Sequence, residues 1–183
     1  VIELVDRLSE AGIALHHLDI GGGIGITYDD EKPVAVADYL SRLFARIDRW
    51  RAEKYQGKQI TVLFEPGRSI VGNAGVLLTE VQYLKHGATK NFAVVDAAMN
   101  DLMRPAMYEA WHGVQPAEQR ATATQTYDVV GPVCESGDWL ARSRALALEQ
   151  GDLLAIMSAG AYGMTMASNY NTRGRAAEVL VDG

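Results

Sequence analysis

Three short stretches carry residue types that can do chemistry. GPVCESGDWLA (131–141) holds the only cysteine of the chain, Cys134, with Glu135 directly after it and a Gly-Pro corner before it. LDIGGGIG (18–25) places three adjacent glycines after a short apolar run. VLFEPGRS (62–69) places Glu65 and Arg68 on either side of a Pro-Gly turn. The surroundings of Cys134 do not read as core, so its thiol should project from a turn rather than pack as a small hydrophobe. Adjacent glycines let backbone N–H groups converge on an anion with no Cβ in the way, although a tight turn before a helix is an equal reading. Their spacing fits neither a dinucleotide fingerprint nor a P-loop. Pro66 fixes its own φ and restricts Glu65 to an extended conformation. A carboxylate so held can bind a protonated ring nitrogen, and the planar fork of Arg68 can hold a carboxylate or phosphate. A structural Glu65–Arg68 pair is the competing interpretation.

The elements that must position these residues change character along the chain. VIELVDRLSEAG reads as the middle of a helix, with Leu4, Val5 and Leu8 on one face and Gly12 at its stop. A short run from Ile13 to Ile20 leads into Gly21–Gly23. Residues 34–55 form an amphipathic helix, with Val36, Leu40, Leu43, Phe44, Ile47 and Trp50 at helical spacing. ITVLF (60–64) is short and apolar enough for a buried parallel strand that Glu65-Pro66-Gly67 ends. This alternation is the rhythm of a βα-barrel or a doubly wound sheet, in which ligands bind at the carboxyl ends of strands. After about residue 72, β-rich segments follow at 75–85, 91–96, 126–130, 152–157 and 177–181, with an excursion over 100–125. They predict a mostly antiparallel sheet domain. The expected class is therefore α/β plus β, divided into 1–72 and 73–183.

The chain has 183 residues, 48% hydrophobic and 22% charged, with a net charge of −6. No basic run offers a phosphate-tracking surface, so nucleic acid is not an expected partner. No apolar stretch nears the roughly 18–20 residues of a membrane-spanning helix, so no membrane partner is expected. No metal site is expected. One cysteine rules out an intrachain disulfide and fits a reducing, cytoplasmic compartment. The chain opens on Val1 inside a helical pattern, which points to a piece of a longer protein.

Five segments in series carry a resemblance: LDIGGGIGITY (18–28), FEPGRSIVGNAG (64–75), VVDAAMNDLMRPAMYEAWH (94–112), GPVCESGDWLA (131–141) and SAGAYGMTMASNYNTRGRAAEVLVDG (158–183). The chain resembles the C-terminal half of the diaminopimelate decarboxylases, pyridoxal-phosphate enzymes of the alanine-racemase-like, group IV decarboxylase kind. The resemblance implies that 1–72 is the end of a TIM-like (β/α)8 barrel that binds the cofactor, and that 73–183 is a β-sandwich or β-barrel-like domain. It implies that Gly22 and Gly23 meet the cofactor phosphate with help from Gly67 and Arg68, and that Glu65 holds the pyridine nitrogen protonated. Arg68, Arg104 and Tyr108 would grip the substrate. Tyr162 would reach the cofactor or the substrate, Glu135 would read the distant amino group, and Cys134 would donate a proton. A thiol suits that step, since its reference pKa of about 8.5 keeps it protonated at neutral pH.

The implied reaction is decarboxylation of meso-2,6-diaminopimelate to L-lysine, the last step of lysine biosynthesis, in a homodimer. There Cys134 and Glu135 would reach the partner's cofactor and lie away from the same chain's Gly22. A related ornithine, arginine or carboxynorspermidine decarboxylase, or a non-catalytic pyridoxal-phosphate-binding homologue, stays open. The lysine that forms the Schiff base in such enzymes is not among Lys32, Lys54, Lys58, Lys85 and Lys90, so this chain alone should be inactive. Roughly 200 further residues are expected upstream from barrel size. NTRGRAAEV has Gly174 and Ala176 where the family usually has prolines. Arg104 as a solvated arginine, and Tyr108 and Trp111 as packing residues, are the plainer alternatives. His16, His17 and His112 read as structural, and Met99, Met103 and Met107, at helical spacing, as packing residues.

Overall fold

The computed structural model of the chain describes residues 1–54 and 60–182. Tyr55, the last residue of the expected 34–55 helix, Lys58, and Gly183 at the end of the 158–183 motif lie outside the described residues. The chain divides into two units, Val1–Gly25 with Lys32–Gly67, and Ile26–Glu31 with Arg68–Gly183. The boundary expected at 72/73 falls in the 3-10 turn Gly72–Ala74.

The first unit contains α1 (Ile2–Glu10), β1 (His17–Asp19), α2 (Val36–Lys54) and β2 (Thr61–Leu63). A long helical crossover joins β1 to β2, the connection that parallel pairing requires. The two strands do pair in parallel, with Leu18 opposite Val62 and Asp19 opposite Leu63. Val5, Leu18, Ile47, Trp50 and Ile60 form the core, and the Trp50 indole N–H donates to Asp6 Oδ1 at 2.8 Å. Burying Ile47 and Trp50 one helical turn apart stabilises this packing by roughly 1.5–3 kcal/mol each. The apolar stripe of α2 is wider than the buried face, since Val36 and Phe44 remain exposed, as does Leu4 on α1.

Besides Ile26–Glu31, the second unit runs from Arg68, which lies in the short helix α3 (Gly67–Val71). Its strands are β3 (Leu77–His86), β4 (Asn91–Val95), β5 (Val114–Pro116), β6 (Gln125–Val130), β7 (Trp139–Leu146) and β8 (Leu153–Ile156), with α4 (Arg104–Tyr108) between β4 and β5. They form one sheet in the order β5-β8-β3-β4-β6-β7. β4 and β6 pair in parallel and the other neighbours antiparallel, so the sheet is mixed. β3 pairs with β8 through Leu77–Glu80 and with β4 through Val81–His86, and its register shifts between Val81 and Tyr83. Irregularities of this kind bend a strand. Both ends of the sheet curl until β5 and β7 approach each other, leaving it nearly closed. Inside lie Val81, Val95, Leu102, Val129, Leu140, Leu154 and Ile156, all fully buried.

Two expectations about this sheet need correction. WLARSRAL was not expected as a strand, yet it is β7. Its in/out alternation is hidden by Arg144, which is buried with its guanidinium over the Trp111 ring, and by Ser143 at φ 55°. Residues 177–181 were expected as a strand but have no regular structure, and Val179, Leu180 and Val181 are at least 80% exposed. Apolar β-formers without a neighbouring strand to accept their backbone groups do not make one.

Candidate active site

In the first unit the parallel pair ends both strands at the same level. Ile20 N–H donates to Leu63 O at 3.1 Å, and Glu65 N–H donates to Gly21 O at 2.9 Å. Gly21–Gly23 and Glu65–Gly67 therefore lie side by side at the carboxyl ends of β1 and β2. Gly22 has no room for a side chain, since a Cβ would collide with the Glu65 carbonyl. Gly21 and Gly23 sit at φ 67° and 83°, and open space surrounds the position of a Cβ on each. Asp19 Oδ1 accepts the Gly21 N–H at 2.7 Å and pins the turn. The Glu65 side chain is exposed at this strand end.

In the second unit two arginines and two tyrosines converge. The Arg68 guanidinium carbon lies 5.6 Å from the Tyr162 ring centroid. That of Arg104 lies 4.5 Å from the Tyr28 centroid and 5.8 Å from that of Tyr162. Among the described residues neither Arg68 nor Arg104 forms an ion pair, and Arg68 Nε and Tyr28 Oη are shielded from solvent without a hydrogen-bond partner. Two cations without carboxylates, together with two unused polar atoms, suit an anionic group such as a phosphate or carboxylate.

Local structure explains how each member is held. Tyr28 lies in a turn capped by Glu31, whose Oε2 accepts the N–H groups of Tyr28 and Asp29 at 2.8 Å each. Those backbone bonds draw the Glu31 carboxyl below its ordinary range. Asn73 Nδ2 holds this segment by donating to Thr27 O at 3.0 Å and to Ser158 Oγ at 2.8 Å. Tyr162 has φ 65°, an unfavourable conformation for a bulky side chain. The 159–160 backbone fixes it there, with Ala159 N–H donating to Gly75 O at 2.9 Å and Gly160 N–H to Gly72 O at 3.2 Å. Gly160 is required because a Cβ would run into the Val71 carbonyl.

The loop before Arg104 is not the methionine-faced helix suggested by Met99, Met103 and Met107. α4 begins only at Arg104, and Met107 is 57% exposed. Polar bonds fix the loop instead: Asp101 Oδ2 accepts Ala98 N–H at 2.9 Å, and the fully buried Asn100 donates to Ser168 O at 3.2 Å. Tyr108 ends α4 and is 62% exposed. Glu109 follows in the left-handed conformation, φ 52°, and turns the chain back so that His112 meets Arg104. His112 reads from the sequence as a structural residue, and no helical spacing across such a cap links it to Arg104.

Cys134 and Glu135 lie on an exposed turn between β6 and β7. The expected projection of the thiol from a turn is what the structure has. Asp138, 4% exposed, organises that turn: Oδ2 accepts Val133 N–H at 2.7 Å, and Oδ1 accepts Met99 N–H at 2.7 Å. Burial pushes the Asp138 carboxyl above the usual aspartate range, while the two amides pull it back. One carboxylate thereby ties the cysteine turn to the loop leading to Arg104. Its signal in the sequence was an acid four residues after the cysteine, with Gly137 between.

The model of the family described as pyridoxal-dependent decarboxylase, C-terminal sheet domain, matches residues 7–160. A diaminopimelate decarboxylase of Pseudomonas fluorescens is 59% identical over the whole chain, which spans 42% of that protein. An Aquifex aeolicus crystal structure superposes with a TM-score of 0.84 at 44% identity, covering 98% of this chain and 43% of that one. A Helicobacter pylori diaminopimelate decarboxylase complexed with L-lysine has a TM-score of 0.80 at 39% identity, covering 95% of this chain and 41% of that one. The chain thus spans less than half the length of these relatives. Among the described residues no helix is long and apolar enough to cross a membrane.

Proposed function

We propose, from the premise that this chain belongs to the pyridoxal-dependent decarboxylase family, that it forms the C-terminal part of an enzyme converting meso-2,6-diaminopimelate to L-lysine. The observation that carries this reading is the pair of guanidiniums, Arg68 and Arg104, gathered on Tyr162 without carboxylate partners among the described residues. A substrate with two amino-acid centres needs cations for the carboxylate that is retained. A simple diamine precursor does not need two.

The residues fit pyridoxal phosphate. In the first unit the open glycines 21 and 23 suit a phosphate and the exposed Glu65 suits a protonated ring nitrogen, and in the second unit Arg68 Nε, without a partner among the described residues, suits an anionic group. When bound, the cofactor supplies an electron sink for the pair left behind as CO₂ departs. Gly22, Gly23, Gly67 and Arg68 would hold its phosphate, and Glu65 would keep a proton on the ring nitrogen. Arg68, Arg104, Tyr108 and Tyr162 orient the substrate, with Tyr162 also bordering the cofactor. Glu135 reads the distant ammonium. Cys134 Sγ delivers a proton to the carbon that lost its carboxylate. The exposed turn of Cys134 and Glu135 supports their reaching a partner subunit's site in a homodimer.

The first unit is the end of a cofactor-binding βα-barrel. Its exposed Val36, Phe44 and Leu63 support packing against further barrel elements. A single thiol kept reduced suits a cytoplasmic enzyme.

A full-length decarboxylase carrying this chain tests the reading. Purified with pyridoxal phosphate, it is expected to release CO₂ from meso-2,6-diaminopimelate with a kcat/KM far above that for ornithine, arginine or lysine. A preference for any of those three overturns the substrate assignment, and no turnover of diaminopimelate or of the other three favours a non-catalytic homologue.

A further inference from the structure

His112 is fully buried at the entry to β5, in contact with the arginine on which the proposed substrate grip depends. Its Nδ1 lies 2.9 Å from the Met157 carbonyl oxygen. A carbonyl only accepts, so Nδ1 carries the proton. Its Nε2 lies 3.0 Å from Arg104 Nη1. A guanidinium only donates, so Nε2 must offer its lone pair. The two partners select the same neutral tautomer from opposite sides of the ring. The edge of the ring also meets Tyr28, with centroids 5.3 Å apart and planes at 78°.

The charged groups facing this histidine favour neutrality. Arg104 approaches from α4, and Arg144 on β7 donates through Nη2 to the His112 carbonyl oxygen at 2.9 Å. Asp29 offsets part of the Arg144 charge. Burial holds His112 below the ordinary histidine range, with the Met157 carbonyl opposing and the two arginines adding to it. A protonated ring would bring a third cation to this place and turn an N–H against Arg104 Nη1.

We propose that His112 is a positioning residue: locked in one neutral tautomer by Met157, it aims the Arg104 guanidinium at the substrate's carboxylate. With Nη1 engaged by the imidazole and one face on the Tyr28 ring, the guanidinium keeps its remaining N–H donors for a ligand. Without the imidazole acceptor, nothing in this pair would fix its rotation. This role rests on the reading that Arg104 grips the substrate.

The test is a double-mutant cycle in the full-length, cofactor-loaded enzyme with His112→Phe, Arg104→Ala and both, plus His112→Gln. Binding of L-lysine is followed by calorimetry, and turnover of diaminopimelate by CO₂ release. His112→Phe is expected to raise KM and the lysine Kd by roughly tenfold or more, the scale of one misdirected charge-assisted hydrogen bond, with a smaller change in kcat. It should add little in the Arg104→Ala background. His112→Gln, whose amide oxygen can accept from Arg104, should recover most of the loss. Additive effects, or unchanged KM and Kd in His112→Phe while Arg104→Ala raises both, overturn the proposal. Unchanged binding in Arg104→Ala overturns the substrate-grip reading itself, and the positioning role with it. Should His112→Phe not fold, nitrogen NMR of the unmutated protein labelled at histidine decides. A bare Nε2 at neutral pH is expected, and a proton on Nε2 overturns the proposal.

Discussion

Replacing Asp138 with asparagine offers a sharp test of how the cysteine turn is held. Asp138 is 4% exposed, and each of its oxygens accepts one backbone N–H at 2.7 Å, from Met99 and from Val133. Asparagine keeps one acceptor and turns an NH₂ group toward the other amide. The loss is one charge-assisted hydrogen bond, about 1.5–3 kcal/mol, plus about 1–3 kcal/mol for two buried donors left facing each other. A combined cost of about 2.5–6 kcal/mol raises the open population of the turn by about 10²–10⁴-fold at 1.4 kcal/mol per decade. Hydrogen exchange read at Val133 and Met99 should accelerate by that factor, provided local opening limits exchange in the parent. Amides within the β3–β4 pairing should change much less. If both target amides exchange within threefold of the parent rate, Asp138 does not organise this turn and the link to the Arg104 loop fails.

In the full-length enzyme, Cys134→Ala is expected to lower kcat at least tenfold while leaving KM for diaminopimelate nearly unchanged, measured by steady-state CO₂ release. An unaltered kcat removes the thiol from the mechanism. Gly160→Ala drives a Cβ into the Val71 carbonyl and to 2.9 Å from Gly75 N, backbone atoms that cannot swing aside. A stability loss of about 1–3 kcal/mol by denaturant titration is expected, and a midpoint equal to the parent's would show that the 71–75 segment yields freely.

Much of this organisation can be read directly from the residues. The strand ends at Gly21–Gly23 and Glu65–Gly67 are legible because short apolar runs stop abruptly at glycine and proline, and parallel pairing aligns them at one level. The cysteine turn is legible because Gly131-Pro132 and Ser136-Gly137 exclude a strand interior. Other features depend on contacts that no local pattern encodes. β7 is masked by the burial of Arg144, whose charged type argues for the surface. The parallel β4–β6 pairing depends on the path of the whole 96–124 connection. Met107 shows helical spacing yet faces solvent, because Asn100 and Asp101 tie the preceding residues into a turn. His112 reaches Arg104 only through the left-handed residue Glu109.

The way β5 and β7 draw together also bears on how this protein coexists with its own copies. A sheet with open margins exposes rows of unsatisfied amides on which stray chains can polymerise. Here one margin is only three residues long and finishes at Pro116, which has no N–H to give. That short, proline-ended margin therefore offers scant template for fibril growth.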